Sequence, residues 1–232
     1  MKPNEAWLDR LAHDLRGPLT PLQTATYLLQ NDNVDPAQQR ELFALIDRQT
    51  RTLAGMIDEI SDWSRLDRGM DITHRQPCEI GMLLDDALGG LRGLQSARPR
   101  IDDTAAGASV DGDPRRLVQM IGTLIAYAMS RDPSAAPSVE ARADTDAKGA
   151  GEHGSDGRLR IDVLDRGPTL DTNELTTLFA EPMPEPYDGG LGLKLLIAQA
   201  IAQAHGGSLR ADARNGGGLR LCCELPCVVA EK

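Results

Sequence analysis

The chain has 232 residues and a formal net charge of −10 at pH 7, with 41% hydrophobic but only 3% aromatic residues. That length holds one or two compact domains with aliphatic cores, and the acidic balance excludes nucleic acid and an anionic membrane as direct partners. No apolar run approaches the ~20 residues of a membrane span, and no secretory leader precedes the first periodic segment, so the expected location is the cytoplasm.

Residues 5–30 are expected to form a first helix, with Asn4 as candidate N-cap. Leu8, Leu11, Leu15, Pro18, Leu22, Ala25 and Leu29 step by three and four alternately, which is an a/d seam. On that register His13 falls at an f position, opposite the seam and facing water. Pro18 removes a backbone hydrogen bond in mid-helix at a cost of about 3 kcal/mol, which points to a functional kink. The polar turn Asn31-Asp32-Asn33-Val34-Asp35-Pro36 starts a second helix over 36–67, with Asp35 as its cap. Its own stripe is Leu42, Ile46, Gln49, Leu53, Met56, Ile60 and Trp63. Two such helices cannot close a core alone, so residues 5–67 are expected to pair antiparallel and to dimerise into a four-helix bundle.

Residues 68–80 lack any period and read as a connector. Beyond it the pattern changes to alternating helices and strands. Helices are expected over 79–94, from Pro114 to about Ser130, and over 191–204; strands over 100–102, 138–143, 159–164 and 219–225. The polar, glycine-rich stretch 144–157 reads as a mobile loop. Cys222, Cys223 and Cys227 lack the paired spacing of a zinc site. With Cys78 they read as small apolar residues in a reducing compartment, with no metal and no disulfide. His74 and His153 fall in loops and His205 at a helix end.

His13-Asp14-Leu15-Arg16-Gly17-Pro18-Leu19 resembles the phosphoacceptor box of the dimeric sensor histidine kinases, H-[ED]-L-[RK]-[TN]-P-L, departing from it at Gly17. Ile60-Ser61-Asp62-Trp63-Ser64-Arg65-Leu66 is similar to the second helix of the same dimerisation domain. The second half resembles the catalytic, ATP-binding domain of these kinases. Asp113 to Gln119 matches D-x-x-R-L-x-Q, with Tyr127 where the family has its magnesium asparagine and Thr123 at the preceding asparagine position. Asp165-Arg166-Gly167-Pro168-Thr169 stands for D-x-G-x-G, with Thr169 replacing the second glycine. Leu178 to Pro182 resembles the phenylalanine box, a short lid of Met183 to Gly189 follows, and Gly189-Gly190-Leu191-Gly192-Leu193 keeps the glycine motif.

The resemblance implies an α+β chain: residues 1–73 a dimerisation and phosphoacceptor domain, 74–80 a linker, and 81–229 a degenerate α/β sandwich of the histidine-kinase ATPase type. It implies that His13 carries a phosphoryl group to an aspartate of a response-regulator receiver domain, with Asp14 as base or orienter and Arg16 steadying phosphoryl charge. ATP with magnesium is the implied cofactor. Asp165 would accept the adenine amino group, Gly167, Gly190 and Gly192 would allow close backbone approach, and Gln119 and Lys194 complete the implied set. No metal ligand is identified. Gly17 lacks the side chain with which the family positions water to dephosphorylate the regulator, so phosphatase activity is expected to be weak.

Autophosphorylation from ATP competes with an ATP-independent phosphotransferase acting between two regulators, and with a non-catalytic scaffold that sequesters a regulator or kinase. The phosphoacceptor box lies too near the first residue to leave room for a sensor, so the sequence reads as a stand-alone protein or as a piece of a longer one.

Overall fold

In a computed structural model the described residues are 5–30, 34–66, 72, 74–91, 99–151 and 154–229. They divide into two compact units: Met1–Gly69 with Met183–Leu193, and Met70–Pro182 with Lys194–Lys232.

The first unit is a helical hairpin of α1 (Glu5–Leu29) and α2 (Pro36–Leu66), joined by the segment Met183–Leu193. The cap expected at Asp35 forms: its carboxylate accepts from the backbone N–H groups of Ala37 and Gln38 at 2.8 and 3.0 Å. Asn4 lies outside the described residues. Pro18 and Ala25 of the α1 seam are buried and Leu11, Leu15, Leu22 and Leu29 half-buried, while Leu42 and Met56 are the buried members of the α2 stripe. The helix runs through Pro18 and also through Pro21, which the seam reading passed over. The two prolines leave the carbonyls of Asp14 and Gly17 without their helical donors, one turn below His13. Glu59 and Asp62, outside the predicted apolar stripe of α2, are also buried.

The second unit is an α/β sandwich. Its strands are β1 (Gln76–Glu79), β2 (Arg100–Ile101), β3 (Ala108–Gly112), β4 (Ser138–Gly151), β5 (Gly154–Leu164), β6 (Ser208–Ala213) and β7 (Leu219–Val229), in the order β1-β3-β7-β5-β4-β2 with β6 also on β7. Its helices are α3 (Ile80–Gly89), α4 (Asp103–Ala106), α5 (Pro114–Arg131), α6 (Thr172–Thr177) and α7 (Lys194–Ala204). All pairings are antiparallel except β2 with β4. Strand β5 takes one edge of β7 from Arg220 to Val229, and β6 and β3 share the other.

Leu117, Met120, Ile121 and Ile125 of α5 form the core with Leu159 and Ile161 of β5, Leu219 of β7 and Ile201 of α7, all 0% exposed. The core is aliphatic, as the scarcity of aromatic residues requires. The opposite sheet face carries Arg210–Glu224 at 2.8 Å, Arg220–Asp212 at 2.9 Å and Arg160–Asp162 at 3.0 Å. Cys222 and Cys223 point to opposite faces: Cys223 reaches Met120, and Cys222 lies beside Glu224. Burial raises the Cys222 thiol to about 12, and all four cysteines are free.

Several expectations are corrected. Gln76–Glu79 lies in the stretch read as a connector, yet it pairs with 109–112 as β1 and buries Cys78. Helix α3 stops at Gly89, not Leu94, because consecutive glycines end it and Gly90 caps it. The stretch 144–157 is no loop in its described part: β4 runs to Gly151 and β5 begins at Gly154, so ladder pairing carries a sequence with no hydrophobic alternation. The last helix starts at Lys194, three residues later than expected, because Leu191–Leu193 belong to the glycine turn. Strands β3 and β6 and helices α4 and α6 were not anticipated.

His205 is a structural residue. Its Nδ1 lies 2.7 Å from the carbonyl oxygen of Ile201, and its Nε2 accepts from the N–H of Asp113 at 3.1 Å. Gly112 is required there, since a Cβ would stand 2.4 Å from the ring. Burial holds this histidine below its usual 6.5. The unfolded chain therefore binds the proton first, and the stabilisation is complete above 6.5 and declines as pH falls below it. The melting temperature should fall between about pH 7.5 and about pH 5.5, and the fall should be smaller in His205→Gln.

Candidate functional site

His13 stands on α1 with its side chain 86% exposed, as the f position requires. Its Nδ1 is 3.3 Å from the carboxylate of Asp14. The cation nearest Asp14 is Arg10, one turn earlier, with Nε at 3.8 Å; Arg16 is exposed and has no described bond to His13. The structure thus places His13 beside Asp14 and pairs Asp14 with Arg10, while Arg16, foreseen as steadying phosphoryl charge, stands exposed. With Asp14 accepting at Nδ1, the neutral ring carries its proton there, and Nε2 keeps a lone pair facing solvent. At Gly17 a Cβ would meet nothing within 4 Å, so packing does not demand a glycine.

The glycine motif lies in the same unit as the hairpin. Gly189 and Gly192 take positive φ of 69° and 77°, which the turn before α7 requires. The turn's N–H groups do not point into open space. The Glu59 carboxylate, 3% exposed, accepts from the N–H of Leu191 at 3.2 and 3.3 Å and from that of Leu193 at 3.0 Å. A Cβ on Gly190 would lie 2.2 Å from Glu59 Oε1, and one on Gly192 2.3 Å from the Met183 carbonyl oxygen. Gly190 and Gly192 therefore let a carboxylate and a backbone carbonyl of this chain come close. Arg10 donates to the carbonyl oxygens of Met183 and Pro184 at 3.5 and 3.3 Å.

The other implied nucleotide residues, Gln119, Asp165, Gly167 and Lys194, belong to the second unit. Asp113 caps α5, accepting from Arg115 and Arg116. The Gln119 side-chain oxygen accepts from Arg116 at 2.7 Å, and Lys194 is half-buried at the start of α7. Asp165 is buried at the end of β5. Its Oδ1 accepts from the N–H of Gly167 at 2.8 Å and of Leu219 at 3.1 Å, and its Oδ2 pairs with Arg131 Nε at 3.0 Å. Tyr127 is 6% exposed, its hydroxyl 3.4 Å from the Arg131 guanidinium, and burial pushes its phenol above the usual range. A buried phenol hydrogen-bonded to an arginine does not fit a hard-cation ligand, so this position does not suit magnesium.

Two family models match the chain: the His Kinase A (phospho-acceptor) domain over residues 4–69, and the histidine kinase-, DNA gyrase B- and HSP90-like ATPase over residues 112–228. The chain belongs to the sensor histidine kinase family. Relatives include the sensor histidine kinase GacS of Pseudomonas protegens, 28% identical over 91% of this chain and 23% of the relative. Another is the adaptive-response sensory kinase SasA of Trichormus variabilis, 32% identical over 93% of this chain and 55% of the relative. The chain spans about a quarter to a third of the length of GacS and of the Agrobacterium fabrum sensor ChvG.

The fold is shared with full-length ShkA, solved with AMPPNP, at a TM-score of 0.65 and 21% identity, over 99% of this chain and 47% of that one. It is also shared with the Acinetobacter baumannii histidine kinase AdeS, at 0.65 and 21% over 95% and 98%. The histidine-kinase chain described here thus carries an ATPase-type domain behind a phosphoacceptor hairpin. No helix among the described residues is long and apolar enough to cross a membrane.

Arg131, Glu59 and Arg10 escaped the sequence reading. Arg131 follows Tyr127 by one helical turn, a spacing that could have marked it; nothing local to Glu59 signals its acceptor role. Replacing Glu59 with alanine should speed hydrogen exchange at the Leu191 and Leu193 amides by about tenfold or more. Glu59→Gln, which keeps an acceptor, should show a smaller change by the same mass-spectrometric or NMR readout.

Proposed function

We propose that the chain is a phosphoryl carrier of two-component signalling, in which His13 holds the phosphoryl group and passes it to an aspartate of a response-regulator receiver domain. The observation that carries this reading is the exposed His13 ring with Asp14 at Nδ1. The Nε2 lone pair attacks phosphorus, the donor's oxygen leaves with the bonding electrons, and Asp14 offsets the charge developing at Nδ1–H. In the return step the receiver carboxylate attacks the same phosphorus, and the P–N bond breaks.

The donor this chain favours is a second phosphorylated receiver, so it acts as a histidine phosphotransferase in the cytoplasm. Tyr127 in the magnesium position and the engagement of Asp165 by Arg131 support that choice over Mg-ATP. The ATPase-type fold and the AMPPNP complex of ShkA favour the rival autokinase reading. A scaffold has no use for the His13–Asp14 pair.

The test is transfer of radiolabel from a phosphorylated receiver, run beside labelled Mg-ATP and a His13→Ala control. Acid-labile label from the receiver, absent in His13→Ala, is the expected result. Label from ATP alone would establish the autokinase, and no label from either would refute the carrier.

We also propose that two copies associate through residues 5–67. Leu19, Phe43 and Ile57 are 43%, 55% and 61% exposed, and all three fall at e positions on the seam registers of their helices. They widen the apolar stripe beyond what one hairpin buries, and a second copy supplies the missing partner helices. The double variant Phe43→Glu/Ile57→Glu should run as a monomer in light scattering at concentrations where the wild type is a dimer.

A further inference from the structure

We infer that Arg131 holds at Asp165 the place that a base amino group would take, so that this chain binds nucleotides without reading the exocyclic amino group of adenine. The inference rests on the proposed reading only in treating residues 112–228 as a nucleotide-type domain. Asp165 is the single carboxylate at the end of β5, and its side chain is 1% exposed. Each of its oxygens is engaged: Oδ1 by the N–H groups of Gly167 and Leu219, Oδ2 by Arg131 Nε at 3.0 Å. An amino group arriving from solvent finds that carboxylate covered.

The guanidinium is fixed along its whole fork. Its side chain is 9% exposed. One terminal nitrogen reaches the Tyr127 hydroxyl at 3.4 Å, the other donates to the Pro168 carbonyl oxygen, and the guanidinium carbon sits 5.6 Å from the Tyr127 ring centroid. Tyr127, Arg131 and Pro168, three positions in or beside the degenerate motifs, thus act as one unit. Gly167 belongs to it as well. A Cβ there would stand 2.8 Å from both the Cβ and the carbonyl oxygen of Arg131, so this glycine admits the end of α5 rather than a ligand.

The electrostatics make the exchange one-sided. Arg131 brings a full positive charge to a carboxylate buried among backbone groups, whereas an adenine amino group is neutral. Displacing the guanidinium would leave the Asp165 charge buried and uncompensated. Tyr127, a departure that looked like loss in the sequence, and the backbone carbonyl of Pro168 are the groups that hold the replacement in place.

ATP and inosine triphosphate differ at C6, amino against oxo, and their competition with a fluorescent trinitrophenyl-ATP probe on the wild-type chain tests this directly. Affinities equal within about threefold are expected; a preference for ATP of about tenfold or more, or no displacement by either at millimolar concentration, would overturn the inference. In Arg131→Met, with folding verified by thermal melting, the preference for ATP should rise by about fivefold or more over wild type. A folded variant with an unchanged ratio would overturn it equally. Should Arg131→Met fail to fold, the wild-type ratio still decides. Neither readout involves His13, so failure of the phosphoryl-carrier reading and failure of this one are separately visible.

Discussion

The second unit is organised around one buried carboxylate. Asp165 ends β5, accepts from the first residue of β7 and from the turn at Gly167, and is neutralised by the last residue of α5. Its main-chain oxygen takes the Arg214 guanidinium, and Gly218 must be a glycine because a Cβ would lie 2.2 Å from that oxygen. A strand end, a helix end and a hairpin are thus joined at a single charge. An uncompensated carboxylate at this depth would be strongly unfavourable, so the counter-charge and the N–H donors are conditions for the sheet and α5 to coexist.

The first unit uses a carboxylate in a comparable way. The buried Glu59 of α2 satisfies two backbone N–H groups of a glycine turn that holds no helix hydrogen bonds of its own. A helix N-terminus preceded by glycines favours an anion, and here the anion is a side chain of the same chain. His13 is under no such constraint. It sits on an open face, with one turn of helix weakened below it by Pro18 and Pro21, and it lies against the adjacent Asp14 carboxylate.

Much was legible in the residues. The alternating three- and four-residue steps of Leu11 to Leu29 and Leu42 to Trp63 fixed both helices, the buried seam and the exposure of His13, because helical periodicity is a local property. Asp35 and Asp113, each followed by proline, marked their helix starts through the same local chemistry. Strands without alternation were missed. Gln76–Glu79 is held by a ladder partner about thirty residues on, and the polar ends of β4 and β5 pair with each other as a hairpin whose β5 side also lies against the distant β7; nothing in their own composition predicts that pairing.

The sequence by itself determined the family and singled out His13 as the candidate phosphoacceptor, since both rest on motifs whose residues lie within a few positions of one another. It marked Tyr127 and Thr169 as departures without revealing the Tyr127–Arg131 contact. Only the tertiary structure decided that Arg131 meets Asp165 and that Glu59 takes the N–H groups of Leu191 and Leu193. The Arg131 and Glu59 pairings join groups 34 or more residues apart. The chain's path brings them together, and burial then makes pairing obligatory, because a charge withdrawn from water must find its partner inside the protein.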